Sequence, residues 1–162
     1  LHFGKNVACE TGGLLLTHRD FSGPSVINIS KYAQVGDKLA INYCNSNYDA
    51  VFTALKSGEK VSSFVPKRFE EYLRTTYGNS PKALAKALTG EVFDITSPGD
   101  LNRAMATAGG INLDQIDLKT MQLKKRPGFF AIGEALDVDG KTGGYNLQFA
   151  YSSARCVSKN EQ

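Results

Sequence analysis

The spacing of apolar positions changes twice along the chain and divides it into three stretches. From Leu1 to Cys44 apolar residues come in short runs between breakers, the pattern of strands. Gly13 to Thr17 is one such run, and Val26 to Ser30 predicts another after the breaker Ser22-Gly23-Pro24. Lys38 to Tyr43 predicts a third, with Leu39, Ile41 and Tyr43 on one face and Gly36-Asp37 as the turn before it. From Asn47 to Ala108 the spacing becomes helical. Asp49 to Lys56 predicts a short helix stopped by Gly58, and Lys67 to Thr76 a second, carrying Phe69, Tyr72 and Leu73 at helical spacing. Ser80-Pro81 opens a third, with Ala83, Leu84, Ala87 and Leu88 as its buried stripe up to Gly90. Glu91 to Ile95 predicts an extended connection, and Ser97-Pro98 opens one more helix through Met105.

Strand texture returns at Gly109. Gly110 to Leu113 and Thr120-Met121 come first, then the apolar run Pro127 to Glu134. An acidic, glycine-rich loop follows from Leu136 to Asn146. A last helix is predicted from about Tyr145 to Val157, with Leu147, Ala150, Tyr151 and Ala154 facing inward. The pattern is that of an α+β chain: an antiparallel β-barrel-like part, an inserted small helical bundle, and a strand, loop and helix at the end.

Composition narrows the classes. A hydrophobic fraction of 41% provides for a core, and a charged fraction of 22% is that of an ordinary soluble protein. No apolar run approaches the about 20 residues that span a bilayer, so no membrane partner is expected. The net charge is +3, and its densest basic cluster is only Lys124-Lys125-Arg126, so no nucleic-acid partner is expected either. Cys9, Cys44 and Cys156 lack metal-ligand or CxxC spacing and read as reduced thiols, which suits a cytoplasmic location.

The candidate chemistry lies near the end. Gly143 and Gly144 let a ligand approach the main chain, and the N–H groups opening the next helix carry roughly half a positive elementary charge. Glu134, Asp137 and Asp139 accept hydrogen bonds from hydroxyls but repel phosphate, so the loop suits a neutral, polyhydroxylated part of a ligand. On spacing alone the same residues also make a tight βα connection. The acids lack EF-hand spacing, and no metal is expected. No Gly-x-Ser-x-Gly elbow or other nucleophile constellation occurs, so the catalytic residues stay unassigned. His18 reads as a turn histidine or as a polar group on the substrate side.

Three ordered segments carry a resemblance. They are Gly13-Leu14-Leu15-Leu16-Thr17-His18 with Phe21-Ser22-Gly23-Pro24 and Ser30; Thr107-Ala108-Gly109-Gly110-Ile111 with Asp117, Thr120, Met121 and Lys124; and Gly128 through Ser153, centred on Gly133-Glu134-Ala135-Leu136-Asp137 and Thr142-Gly143-Gly144-Tyr145-Asn146. Together they resemble the aminoacetone-oxidase-like (BaiN/YhiN) family of NAD(P)/FAD-dependent oxidoreductases. The resemblance implies a Rossmann-type FAD domain interrupted by an insert with a β-barrel-like and a helical part. It implies the division 1–46 barrel-like part, 47–108 helical insert, 109–118 return strand, 119–157 closing piece of the FAD domain, and 158–162 tail. It places Gly133, Glu134 and Asp137 toward the ribityl or pyrophosphate side of FAD, and Gly143, Gly144, Tyr145 and Asn146 along the pyrimidine edge. The implied chemistry is FAD-dependent oxidoreduction, either NAD(P)H-linked with NAD(P)H as electron donor or of the oxidase type, and a small molecule is the implied substrate. The Gly-x-Gly-x-x-Gly turn that seats the pyrophosphate does not occur among these residues. The chain is therefore expected to be the C-terminal segment of a longer flavoprotein, to need the N-terminal FAD domain as its partner, and to bind FAD weakly or not at all by itself. Gln122-Leu123 and Ala154-Arg155-Cys156-Val157 depart from the family's pattern. A separately expressed binding module and an inactive truncated flavoprotein are the rival readings.

Overall fold

A computed structural model describes residues 2–3, 8–18, 20–97, 99, 102 and 104–160. The chain divides into two compact units: Leu1–Leu15 with Tyr32–Pro98, and Leu16–Lys31 with Gly99–Gln162.

The first unit combines a small sheet and a helical cluster. Strands β1 (His2–Phe3), β2 (Ala8–Cys9), β5 (Lys38–Ile41) and β6 (Glu91–Asp94) form an antiparallel sheet in the order β2-β1-β5-β6. Leu39 and Ile41 are buried, as their period-two spacing predicts. Helix α2 (Tyr48–Lys56) is capped by Asn47, whose side chain accepts from the Ala50 N–H at 2.8 Å. Helix α3 (Lys67–Tyr77) stops at Gly78, whose φ of 75° suits glycine. Helix α4 (Pro81–Gly90) opens on proline at N1. Val51, Leu55, Leu73, Leu84, Ala85, Ala87 and Leu88 are buried together in one core, joined by Val61 and Val65.

At the edge of that core lies Glu91, only 5% exposed. Its Oε2 accepts from the Tyr43 hydroxyl at 2.5 Å, and its Oε1 accepts from the hydroxyls of Tyr72, at 3.1 Å, and Tyr77. The Phe69 ring lies 4.6 Å from the ring of Tyr43 and 5.3 Å from that of Tyr72. Burial, then the hydrogen bond to Glu91, pushes the Tyr43 phenol far above its ordinary value. The Glu91 hydrogen bond, then burial, raises Tyr77, and burial with the Glu91 charge raises Tyr72. The carboxylate thus ties α3 and the end of β5 to the start of β6.

The second unit is built on short pieces. Strand β3 (Leu15–Leu16), which ends in this unit, pairs with β4 (Phe21–Ser22), and β4 leads into helix α1 (Pro24–Ser30). Strands β7 (Ile116–Asp117) and β8 (Gln122–Leu123) pair antiparallel, and helix α5 (Tyr145–Asn160) closes the chain. Ile116, Met121, Ala131 and Leu136 form its core, with Phe149, Cys156 and Val157 of α5 packed against it.

Four expectations are corrected. The described residues contain no closed barrel: the largest sheet has four strands of two to four residues, in the order β2-β1-β5-β6. Val26 to Ser30 is helix rather than strand, because Pro24 at N1 starts a helical turn and buries Ser25 and Ile29 four residues apart. Pro127 to Glu134 forms no strand and makes only a single bridge, Gln122 to Phe130, before a 3-10 turn at Gly133–Ala135. The inner face of α5 is only partly the predicted one: Ala150 meets the Gly133 turn and Ala154 is half-buried, but Leu147 and Tyr151 do not face inward. Ser153, Phe149, Cys156 and Val157 turn inward, while Leu147 and Tyr151 are 79% and 66% exposed. The helix expected after Ser97-Pro98 falls largely on residues 98, 100, 101 and 103, outside those described. No helix among the described residues is long and apolar enough to cross a membrane.

Candidate flavin-edge loop

The loop between the 3-10 turn and α5 belongs wholly to the second unit. Its first anchor is Gly133, which is buried at a φ of 59°. A Cβ there would come 3.2 Å from the Cβ of Ala150, so glycine lets the turn rest directly on α5. The Gly133 N–H donates to the Ser153 Oγ at 3.0 Å, and that hydroxyl donates to the Ala150 carbonyl at 3.0 Å. Ser153 is 2% exposed. Ser153→Ala is expected to leave the Gly133 N–H without an acceptor and to cost about 1–3 kcal/mol, read as a lower urea midpoint.

A second anchor comes from Gly110-Ile111. The Ile111 N–H donates to the Ala135 carbonyl and the Asp137 N–H to the Ile111 carbonyl, both at 2.9 Å. The Glu134 side chain accepts from the Thr107 N–H at 2.8 Å. Farther along, Lys31 pairs with Asp139 at 2.9 Å, and the Thr142 N–H donates to the Asn28 Oδ1 at 2.7 Å. The Asn146 Oδ1 accepts from the Gly140 N–H at 2.7 Å. Gly143 and Gly144 then enter α5 at φ 122° and 91°.

The predicted site residues therefore have distinct duties. Gly133 and Asn146 are spent on holding the loop. Glu134 is exposed with one oxygen bound to Thr107, and Asp137 presents an exposed carboxylate. Gly143 and Gly144 are exposed, and nothing lies within 4 Å of where a Gly144 Cβ would stand. Tyr145 is 65% exposed with its ring beside Gly143. His18 is exposed in a turn closed by Thr17 and Asp20, and no hydrogen bond joins it to the loop among the described residues. Sequence reasoning missed Asn28, Lys31, Thr107 and Ser153. The signal available for the first two was Pro24 at a helix start, which puts residues 28 and 31 on one helical face.

Comparison with known proteins gives the loop its setting. The profile of the HI0933-like protein Rossmann domain matches residues 22–160. The chain belongs to this family. The family is of the FAD-binding oxidoreductase type, and dinucleotide (FAD) binding is what it implies for its members. Two curated relatives are named ribosomal RNA dihydrouridine synthase: one from Escherichia coli, 34% identical, and one from Haemophilus influenzae, 32% identical, each matched over 87% of this chain. The chain spans about two fifths (40%) of the length of both. A shorter match, 31% identical over 43% of the chain and 17% of the relative, is to a 3-dehydro-bile acid delta(4,6)-reductase of Clostridium scindens.

The residues present fit part of such a cofactor. An open glycine pair at the start of a 16-residue helix suits the electron-rich edge of an isoalloxazine ring. The exposed carboxylates of Asp137 and Glu134 suit ribityl hydroxyls. A pyrophosphate seat is not part of this loop.

Proposed function

We propose that this chain is a segment of an FAD-dependent oxidoreductase, NAD(P)H-linked or of the oxidase type, of the aminoacetone-oxidase-like (BaiN/YhiN) kind. In this reading it contributes the substrate-side insert and the loop along the flavin edge. The observation that carries it is that the family match over residues 22–160 includes an exposed Gly143-Gly144 pair opening α5. FAD, when bound, passes hydride between a donor and a substrate. The residues that would hold it are Asp137 and Glu134 at its hydroxyls and Gly143, Gly144 and Tyr145 at its pyrimidine edge. The positive end of α5 favours the reduced, anionic ring.

Two apolar rows support the view that more protein covers this unit. Leu147 and Tyr151 are exposed one turn apart on α5, and Phe130 and Ile132 are exposed at alternate positions before the 3-10 turn. The rest of a Rossmann sheet is the cover we propose for them.

The names of the two relatives that match most of the chain favour a second substrate reading, a base within RNA in place of a small molecule. In that case two hydrogens add across the uracil double bond, one as hydride and one as a proton. A fluorescence titration tests the segment reading. Residues 1–162 alone are expected to show weak or no FAD binding, and the native-length gene product is expected to carry FAD and, if NAD(P)H-linked, to be bleached by NADH or NADPH without oxygen. Tight FAD binding by residues 1–162, or a native product without FAD, would count against it. Dihydrouridine missing from the ribosomal RNA of cells lacking the gene would select the RNA substrate; unchanged RNA would select the small molecule.

A further inference from the structure

The flavin-edge loop is fastened from outside itself, and the fastening lies on one short helix. Asn28 and Lys31 are three residues apart at the end of α1, so they share a face. Their partners in the loop, Thr142 and Asp139, are also three residues apart. Asn28 Oδ1 accepts from the Thr142 N–H at 2.7 Å, and Lys31 Nζ meets Asp139 Oδ2 at 2.9 Å and its carbonyl at 3.4 Å. The helix itself is seated independently of these contacts, by the buried Ser25 and Ile29.

From Asp139 to Gly144 the loop contains no apolar side chain, and Lys141, Gly143 and Gly144 are exposed. Asn146 holds Gly140 from the helix side. The two α1 contacts reach Asp139 and Thr142, the latter being the residue before the glycine pair. Lys31 also neutralises Asp139, one of three acids that would otherwise repel the phosphates of a dinucleotide.

Resting on the reading of this loop as a flavin-edge element, we propose that Asn28 and Lys31 are positioning residues for the flavin. They touch neither flavin nor substrate in this scheme. They set the direction in which Gly143, Gly144 and the first turn of α5 present their N–H groups, which have no intrahelical partners. The helix that carries them follows the turn bearing His18.

The test uses the native-length gene product with its flavin, comparing Asn28→Ala, Asn28→Asp, Lys31→Met, Lys31→Arg and the double variant Asn28→Ala with Lys31→Met. Asn28→Ala and Lys31→Met are each expected to raise the FAD Kd about tenfold. They are also expected to move the flavin reduction potential negative, because the reduced ring loses its N–H donors. Asn28→Asp and Lys31→Arg keep the acceptor and the cation and are expected to stay near wild type. The double variant is expected to lose less than the product of the two single losses, since both act on one loop. Amide exchange at Thr142 in residues 1–162 gives a readout without flavin: protected in wild type, exposed by Asn28→Ala, restored by Asn28→Asp. Unchanged Kd and potential in the Ala and Met variants, with only a lower Tm, would overturn the proposal and leave a purely structural contact. A wild-type product without flavin would instead remove the functional reading beneath it.

Discussion

Glu91→Ala is expected to destabilise the first unit by about 3 kcal/mol or more, a large part of a typical domain's 5–15 kcal/mol. The carboxylate is 5% exposed and accepts from three phenols, so its removal leaves three donors short at once. Tyr43 suffers most, being the most deeply placed of the three, whereas Tyr72 and Tyr77 are 40% and 37% exposed and can turn to water. Glu91→Gln is expected to fall between wild type and Ala, because an amide keeps one acceptor oxygen. Urea unfolding measures this, and an Ala variant within about 0.5 kcal/mol of wild type would show that the cluster holds nothing together.

The same cluster sets the response to alkali. All three phenols are raised in the folded state, so their contribution is complete below about pH 10, the ordinary tyrosine value. Above it the unfolded chain releases protons that the folded chain keeps, and stability falls as pH rises. Tyr43 alone adds a slope of about 1.4 kcal/mol per pH unit there. Solvent screening reduces the shares of Tyr72 and Tyr77. Tyr43→Phe is expected to be less stable at pH 7 but to lose stability less steeply above pH 10, and equal slopes would contradict the assignment.

Gly110→Ala is the second large effect, and it falls on the candidate site. A Cβ at Gly110 would stand 2.7 Å from the Leu136 carbonyl carbon, 2.8 Å from the Asp137 nitrogen and 2.9 Å from the Ala135 oxygen. All three are backbone atoms of the turn that carries Glu134 and Asp137, and none can swing aside. The φ of 140° adds strain of its own. A loss of about 3 kcal/mol or more in the second unit is expected, with faster amide exchange at Ile111 and Asp137. Gly128→Ala is the control: its φ is 86° but nothing lies within 4 Å, so it is expected to lose only about 1–2 kcal/mol. Equal losses at the two glycines would mean that the close approach is not what Gly110 provides.

The helices α2, α3 and α4 were legible because periodicity and punctuation agree: Gly58 after α2, Gly78 as the stop of α3, Pro81 at N1 of α4, while the Asn47 cap of α2 was not read from sequence. Strand β5 was legible from alternation alone. Helix α1 was not, because Val26, Ile27 and Ile29 are β-branched and read as strand, while the decisive residue is the proline before them. Leu147 and Tyr151 were wrongly placed on the inner face of α5 because the helix carries apolar residues on two sides, and sequence does not say which side this unit itself covers. The run from Pro127 to Glu134 has strand composition but only the Phe130 bridge within the described residues. The site loop was legible as a glycine pair before a helix. Its supports were hidden, since Asn28 and Thr142 lie 114 positions apart. Glu91 was hidden for the same reason: its tyrosines are 14, 19 and 48 positions away, and a lone glutamate at a strand start reads as surface.

The central claim is that these residues serve a flavoprotein. The most direct measurement is to purify the gene product at its native length from its source, denature it, and identify and quantify any cofactor released. The account predicts FAD in near one-to-one ratio to protein. A correctly folded native product that releases no flavin, and takes up none when FAD is added, would contradict it.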